Sequence, residues 1–425
     1  MLVSSHDERN VAAMPPSLLT QARQIIDAAI SAVLPDEAVR QALEDITFPG
    51  RVILVAAGKA AWRMAKTARE LLGPAITDGI VITKYGHPEG PIEGLDCREA
   101  GHPVPDAAGF AATQAALELV TGLCETDTVL LLLSGGGSAL FEKPLIPPEE
   151  LAEITRQLLP CGADITEINT IRKRLSAVKG GRFALACAPA RVHTIVLSDV
   201  LGEKLDIIAS GPACPDSSTC SQALAVAEKY GLQLSAPARQ WLETETPKNL
   251  SNVHSHITGS VRQLASAAGA AAEQLGFEPH ILTCELSCEA KDAGTWLAAL
   301  AREHHQCGKR MALIAGGETV VKVTGTGKGG RNQELALSAA AEIEGLSGVC
   351  VISVGSDGTD GPTDAAGGIV DGSTAGTLRN QGICIREVLA DNDAYHALEK
   401  VGGLVFTGPT GTNVNDVALV LLDTP

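Results

Sequence analysis

Gly325, Gly327 and Gly330, in the stretch TVVKVTGTGKGGRNQELALSAA (319–340), stand at the G-x-G-x-x-G spacing of a loop that cradles a dinucleotide pyrophosphate. That chemistry needs a buried parallel strand before the first glycine and a close-packed helix after the third. Thr319–Thr324 instead alternates at Lys322 and Thr324, as a half-exposed strand does. It follows the apolar run MALIA (311–315) after only Gly316, Gly317 and Glu318. The pair predicts a hairpin with a tight turn, which cannot open a βαβ crossover. A Walker loop fails too, because Gly327-Lys328 is followed by Gly329 and not by Ser or Thr. The exit Arg331-Asn332-Gln333-Glu334 predicts polar groups at a helix N-terminus. The favoured reading is an anion-binding loop that delivers Arg331, with Gly316, Gly317 and Glu318 beside it. A plain flexible loop is the alternative.

Other candidates sit where apolar runs end. Ser134-Gly135-Gly136-Gly137-Ser138 follows VLLLL and reads as a phosphate cradle, since glycines let backbone N–H groups approach an anion and the hydroxyls add donors. Lys59, after the first such run, would face a helix N-terminus, where a cation is unfavourable unless an anion bridges it. The densest basic run, TEINTIRKRLSAVKGGRFA (166–184), offers Asn169, Lys173 and Lys179; as one helix it would set Arg172, Ser176 and Lys179 on a single stripe. A solvated lysine and a solvated basic face are the plainer alternatives. Asp199 after IVLS, and Asp357, Asp360 and Asp364 in GSDGTDGPTDAAGG, suit Mg²⁺, which takes few protein oxygens and completes its shell with phosphates. Turn-capping aspartates are the competing reading. His87 and His102 read first as structural loop residues, though either has the chemistry of a base. No G-x-S-x-G elbow is present to anchor a serine hydrolase.

These residues must be held by elements, and the apolar runs define them. RVILVAAGKAAW (51–62), VLLLLSGGGSAL (129–140), HTIVLSDVLG (193–202), MALIAGGET (311–319) and VCVISVGSDGTDG (349–361) are mostly Val/Ile/Leu-rich without alternation, as strands buried on both faces are. Alanine-rich amphipathic stretches at 106–125, 259–276 and 293–306 separate them. The expectation is an α/β protein whose ligands gather at the carboxyl ends of its strands. With 425 residues the chain is long enough for two domains, placed at 15–250 and 255–425 around a polar linker at 244–259. A net charge of −17 argues against nucleic acid and anionic membranes as partners, and the longest apolar runs are too short to span a bilayer. Eleven cysteines without a C-x-x-C pair, and a polar N-terminus without a leader pattern, point to free thiols in the cytoplasm.

As a set, AAGKAA (56–61), EAGHPVPD (99–106), LLLLSGGGSALFEKP (130–144), INTIRKRLSAVKGGR (168–182), TIVLSDVLGEKLDIIASGPACPD (194–216), AGGETVVKVTGTGKGGRNQE (315–334), GSDGTDGPTDAAGG (355–368) and GPTGTNVNDV (408–417) resemble the bacterial-type glycerate 2-kinase family, whose C-terminal part is called the MOFRL domain. The resemblance spans nearly the whole chain. It implies a Rossmann-like, doubly wound, mostly parallel first domain, a second domain with a mixed sheet, and an active-site cleft between them. It also implies ATP-dependent, Mg²⁺-assisted phosphorylation of D-glycerate on its 2-hydroxyl. The family's two residues implicated in activity fall on Lys59 and Arg331. Asp199 is expected to orient the hydroxyl or bind the metal. Some family members are named hydroxypyruvate reductase, so an NAD(P)H-dependent reductase is the alternative. Monomer and homo-oligomer both stay open.

Overall fold

In the computed structural model, residues 17–423 are described, apart from 45, 159 and 203. Six strands form a wholly parallel sheet: β1 (Val52–Ala57), β2 (Ile76–Lys84), β3 (Asp96–Ala100), β4 (Thr128–Leu133), β5 (Arg191–Leu197) and β6 (Val253–Gly259). Their spatial order is β3-β2-β1-β4-β5-β6, the order of a doubly wound nucleotide-binding sheet. Every residue of β1 and β4 is buried, which is why these runs carry no polar alternation. A second sheet contains β7 (Glu278–Leu286), β8 (Arg310–Gly317), β9 (Val349–Gly355), β10 (Gly367–Asp371), β11 (Leu404–Val405) and β12 (Asp416–Asp423) in the order β11-β10-β9-β12-β8-β7. Only β7 and β8 are parallel; β12 runs antiparallel between β8 and β9. Two α/β units with a parallel and a mixed sheet were legible beforehand.

The units are less separate than the expected boundaries. One apolar cluster joins Leu54, Leu130 and Ile195 of the first sheet to Ile314, Ile352 and Leu419 of the second. Helices lie between them: Leu18–Ser31, Pro35–Leu43, Ala61–Leu72 and Val261–Gln274. Two parts of the boundary therefore need correction. Helix Leu18–Ser31, assigned to the first domain, buries Ile25, Ile26 and Ala29 and packs on helix Val261–Gln274 and on β9 and β12 of the second sheet. β6, placed in the linker, pairs with β5 throughout, so the first sheet ends at Gly259. The expected start at 15 lies outside the described residues.

The hairpin is also corrected. Thr319–Thr324 forms no strand; Val320 alone makes a bridge, parallel, to Glu289. β8 has no free edge for it, because β12 and β7 already flank that strand. Nor does the basic run make one helix. Helix Ile165–Arg174 stops before Ser176 and Lys179, and Ala177 N–H donates to the Lys143 carbonyl while Gly180 and Gly181 turn with positive φ.

Most of that run is buried in a helical subdomain built from Pro148–Leu158, Ile165–Arg174, Cys220–Lys229 and Ala236–Leu242. Asp216 is its electrostatic centre, with Lys173 Nζ at 3.2 Å, Arg174 Nη1 at 3.6 Å and the Thr246 hydroxyl donating at 2.8 Å. Asp216→Ala leaves two buried cations short of their counter-charge, and a loss of about 3–5 kcal/mol is expected. Urea denaturation followed by circular dichroism measures it; a loss below about 1 kcal/mol would show that Lys173 and Arg174 find other partners.

Candidate active site

In an open parallel sheet, the strands on either side of an order reversal send their following loops to opposite faces and leave a crevice at their carboxyl ends. Here that crevice lies between β1 and β4. The turns after these strands interlock: Lys59 N–H donates to the Gly135 carbonyl at 2.9 Å, and Ala60 N–H donates to the Ser134 hydroxyl at 3.0 Å. A β-carbon on Gly58, whose φ is +133°, would collide with Ser134. The Ser134 hydroxyl thus holds two turns together and is buried. Gly135 and Gly136 present N–H groups that donate to no acceptor among the described residues. Gly136 takes the left-handed φ of +86° that aims the turn outward.

Support comes from behind. The Ser138 and Ser210 hydroxyls lie 3.2 Å apart, and Ser210 donates to the buried Asn169 side chain at 3.0 Å. Ala209 and Ser210 both have positive φ, of 49° and 59°, without being glycine. The Ala209 methyl presses against Gly137, where a β-carbon would lie 2.8 Å away. Asn169 therefore holds the wall and is not at the crevice surface. Lys179 is wholly buried on Glu142 at 2.9 Å and donates to the Phe141 carbonyl, so it too stiffens the wall. Lys173 belongs to the Asp216 network. These three are corrected from ligand-facing to supporting positions: each is a buried donor or acceptor with its partner inside the chain.

Asp199, just past β5, lies beside the turn; a β-carbon on Gly135 would sit 2.7 Å from its Oδ2. Burial pushes its carboxyl above the ordinary range, Lys59 pulls it back, and Glu318 pushes it further up. Glu318 follows β8, so a carboxylate of the second sheet faces one of the first across the cleft. Gly316 and Gly317 are the last residues of β8 itself; they are buried against Val261 and Leu286 and form no turn.

Arg331 opens helix Arg331–Glu342. Its guanidinium forks onto Asp416, with Nε at 2.5 Å and Nη2 at 2.9 Å, and Nη1 donates to Glu318 at 2.8 Å. Burial opposes its charge, but Asp416 and Glu318 more than restore it. Burial also pushes the Asp416 carboxyl up to about 6, against the pull of Arg331. Sequence reasoning overlooked Asp416, although an aspartate heading the apolar run DVALVLLD was a signal. The glycine loop before Arg331 is tied down by Asn392, whose side-chain oxygen accepts from Thr324 N–H and Gly325 N–H at 2.7 and 2.9 Å.

Asp360 is corrected as a metal-ligand candidate. Its oxygens accept the Asn332 and Gln333 N–H groups at 3.1 and 2.9 Å, neutralising the orphan donors at the start of helix Arg331–Glu342. Asp357 closes a turn on Thr359, its Oδ1 accepting the Thr359 N–H at 2.9 Å and the Thr359 hydroxyl at 3.1 Å. Asp364 is exposed and accepts from the Tyr395 hydroxyl. His87 and His102 were read as structural, yet both reach Lys59: His87 Nδ1 lies 3.0 Å from the Lys59 carbonyl, and the His102 ring lies over Gly136.

Comparison with known proteins shows the family and the fold. Residues 21–243 match a domain-of-unknown-function family, DUF4147, and residues 311–416 match the MOFRL family. The chain is 55% identical to D-glycerate 2-kinase of Thermotoga maritima, over 96% of this chain and 99% of that protein. It is 39% identical to glycerate 2-kinase of Pyrococcus horikoshii, over 94% of this chain and 96% of that one. A protein of Agrobacterium vitis provisionally named hydroxypyruvate reductase is 39% identical, over 94% and 93%. The crystal structure of the Thermotoga maritima glycerate kinase superimposes with a TM-score of 0.93 at 54% identity, covering 96% of this chain and all of that one.

Two substitutions probe the geometry. Gly135→Ala drives a methyl into Asp199; kcat is expected to fall by roughly 10²-fold with little change in the unfolding midpoint. Parental kcat would show that the position of Asp199 is immaterial. Asp416→Asn tests the buried carboxylate. Its folded pKa near 6 exceeds an unfolded value of about 3.9, so its ionisation costs stability as pH rises through that window, and the loss is complete above it. The variant is expected to unfold at pH 8 no earlier than the parent, while kcat/KM falls at least about tenfold because Arg331 loses its bidentate partner. An unfolding midpoint well below the parent's at pH 8 would contradict it.

Proposed function

The chain belongs to the glycerate 2-kinase family, and from that premise we propose how its cleft carries out the transfer. The activity is ATP-dependent phosphorylation of D-glycerate on its 2-hydroxyl. One observation carries the assignment of roles: Lys59, the 134–137 turn and Asp199 converge at the carboxyl ends of β1, β4 and β5, opposite Glu318 and Arg331. Phosphoryl transfer demands positioning and charge neutralisation more than covalent chemistry.

The free N–H groups of Gly135 and Gly136, with the Lys59 ammonium, suit the terminal phosphates of ATP. Arg331 uses three of its five N–H donors on Asp416 and Glu318, which leaves two for an anion. Those two are assigned to the glycerate carboxylate, and the Asp416 fork fixes the plane in which they point. Mg²⁺ would fit the facing carboxylates of Asp199 and Glu318; burial first, and the charge of Glu318 later, raise the proton affinity of Asp199, which a divalent cation would offset. Bound there, Mg²⁺ supplies charge neutralisation for the phosphate oxygens.

Among the described residues, the turn expected to hold a dinucleotide does not favour the reductase alternative. In this sheet order the dinucleotide fingerprint belongs in the turn after β1, and that turn reads Gly58-Lys59-Ala60-Ala61-Trp62. The late G-x-G-x-x-G follows no strand. We place the enzyme in the cytoplasm, in keeping with eleven cysteines, all free. No described helix is long and apolar enough to cross a membrane.

Parallel assays test the reading. D-Glycerate with ATP and Mg²⁺ is expected to yield ADP and 2-phosphoglycerate, and excess EDTA to stop the reaction until Mg²⁺ is restored. Hydroxypyruvate with NADH is expected to give no turnover. NADH oxidation without phosphorylation would overturn the assignment.

A further inference from the structure

His102 belongs neither to the anion cradle nor to the carboxylate pair, yet it lies against the cradle. It follows β3 in the loop 101–106, on the side of the sheet where the turns after β1 and β4 end. A β-carbon on Gly136 would lie 2.9 Å from its Cδ2, 3.1 Å from its Nε2 and 3.4 Å from Lys59 Cγ. The imidazole edge and the Lys59 stem thus meet over one glycine of the cradle. The ring is half-buried and makes no hydrogen bond to a described residue.

A phosphate held by the Gly135 and Gly136 N–H groups would have Lys59 on one side and His102 beside it. An acceptor hydroxyl lined up with that phosphorus then comes within reach of Nε2. The charged groups around the ring favour a free imidazole. Lys59 faces it from the turn after β1, Lys84 from the end of β2, and His87 from the loop that follows. The nearby carboxylates are engaged elsewhere: Glu99 accepts from Gly86 N–H at 2.5 Å, and Asp106 accepts from the Tyr85 hydroxyl and Gly109 N–H. Burial first, and these cations second, hold the His102 pKa below its ordinary value, so the ring is neutral at physiological pH. His87 is a poorer candidate, since it is exposed and its Nδ1 is occupied by the Lys59 carbonyl.

We propose that His102 is the general base that takes the proton of the glycerate 2-hydroxyl during phosphoryl transfer. The assignment rests on the reading that places the transferred phosphate at the 134–137 turn. The O–H bond breaks as its oxygen bonds to the γ-phosphorus. The bond from that phosphorus to the bridging oxygen breaks, and its electron pair leaves with ADP. The proton stays on Nε2 until product departs and solvent removes it. Asp199 would be held by the metal in that reading, and is not needed as the base. Burial first, and the Lys59 charge after it, keep His102 ready to accept the proton.

His102→Gln and His102→Ala test this in the ATP and D-glycerate assay, with circular dichroism confirming that both fold. Expected is a fall in kcat of roughly 10²–10⁴-fold with KM for ATP changed only a few-fold. The acidic limb of the kcat/KM profile, below the ordinary imidazole pKa, should vanish in His102→Gln. Added imidazole should restore part of the rate of His102→Ala. Lys59→Ala and Arg331→Lys serve as controls for the site itself. If they lose activity while His102→Gln keeps parental kcat or its acidic limb, the base is elsewhere. If all four variants keep parental activity, the phosphate is not at this turn and the reading beneath the proposal also falls.

Discussion

The approach of two turns, after β1 and after β4, governs what this cleft can hold. Gly58 leaves no room for a side chain against Ser134, and the Ser134 hydroxyl accepts the N–H of Ala60. Parallel strands that part at an order reversal leave a gap; here the gap is closed at its base and open above. Closing it is what aims the Gly135 and Gly136 N–H groups outward, because their carbonyl and hydroxyl neighbours are already paired. Larger residues at either turn would separate the strands and scatter those donors. The rest of the first unit follows from this contact. Ala209 and Ser210 bear unfavourable backbone angles to press on Gly137, and Asn169 fixes Ser210 from behind.

The cleft has a second wall, and a shared layer of helices sets its distance. Helices Leu18–Ser31 and Val261–Gln274 touch each other and bury their apolar faces in one cluster with both sheets. Arg63 on helix Ala61–Leu72 donates to the Thr410 carbonyl at 2.9 Å, and the Thr412 hydroxyl donates to the Val33 carbonyl at 2.8 Å. The loop ahead of β12 is therefore tied to the first unit, and Asp416, which anchors Arg331, begins the strand that follows it. Glu318 and Asp199 face one another because an apolar core places them so, against their own repulsion.

Which features could be read beforehand depended on the range of the interactions that make them. Buried parallel strands declare themselves through unbroken apolar runs, so VILVAA and TVLLLL and the turns after them were legible. Thr319–Thr324 alternates like a strand, but the neighbours of β8 decide its fate, and they arrive from 278–286 and 416–423. Asp360 and Asp357 have the same residue type and share one loop. Only the location of helix Arg331–Glu342 over Asp360 makes one a helix cap and leaves the other closing a turn on Thr359.

The basic residues carry the same lesson into function. A protein with a net charge of −17 that binds two anionic substrates needs local cations, and the dense run at 172–182 is the obvious place to seek them. Yet Lys173, Arg174 and Lys179 are buried on Asp216 and Glu142, so their charge is cancelled where it lies. Lys59 and Arg331 stand alone in sequence and looked weaker. Lys59 makes no ion pair among the described residues, and Arg331 keeps two donors after satisfying Asp416 and Glu318. A substrate responds to charge and donors left over at a surface: Lys59 offers an unpaired charge, and Arg331, whose charge is already met by Asp416 and Glu318, offers the donors those carboxylates leave. Lys59 at the mouth of β1 and Arg331 at the start of its helix thus leave donors facing the cleft, which Lys173, Arg174 and Lys179, packed on their carboxylates inside a wall, do not.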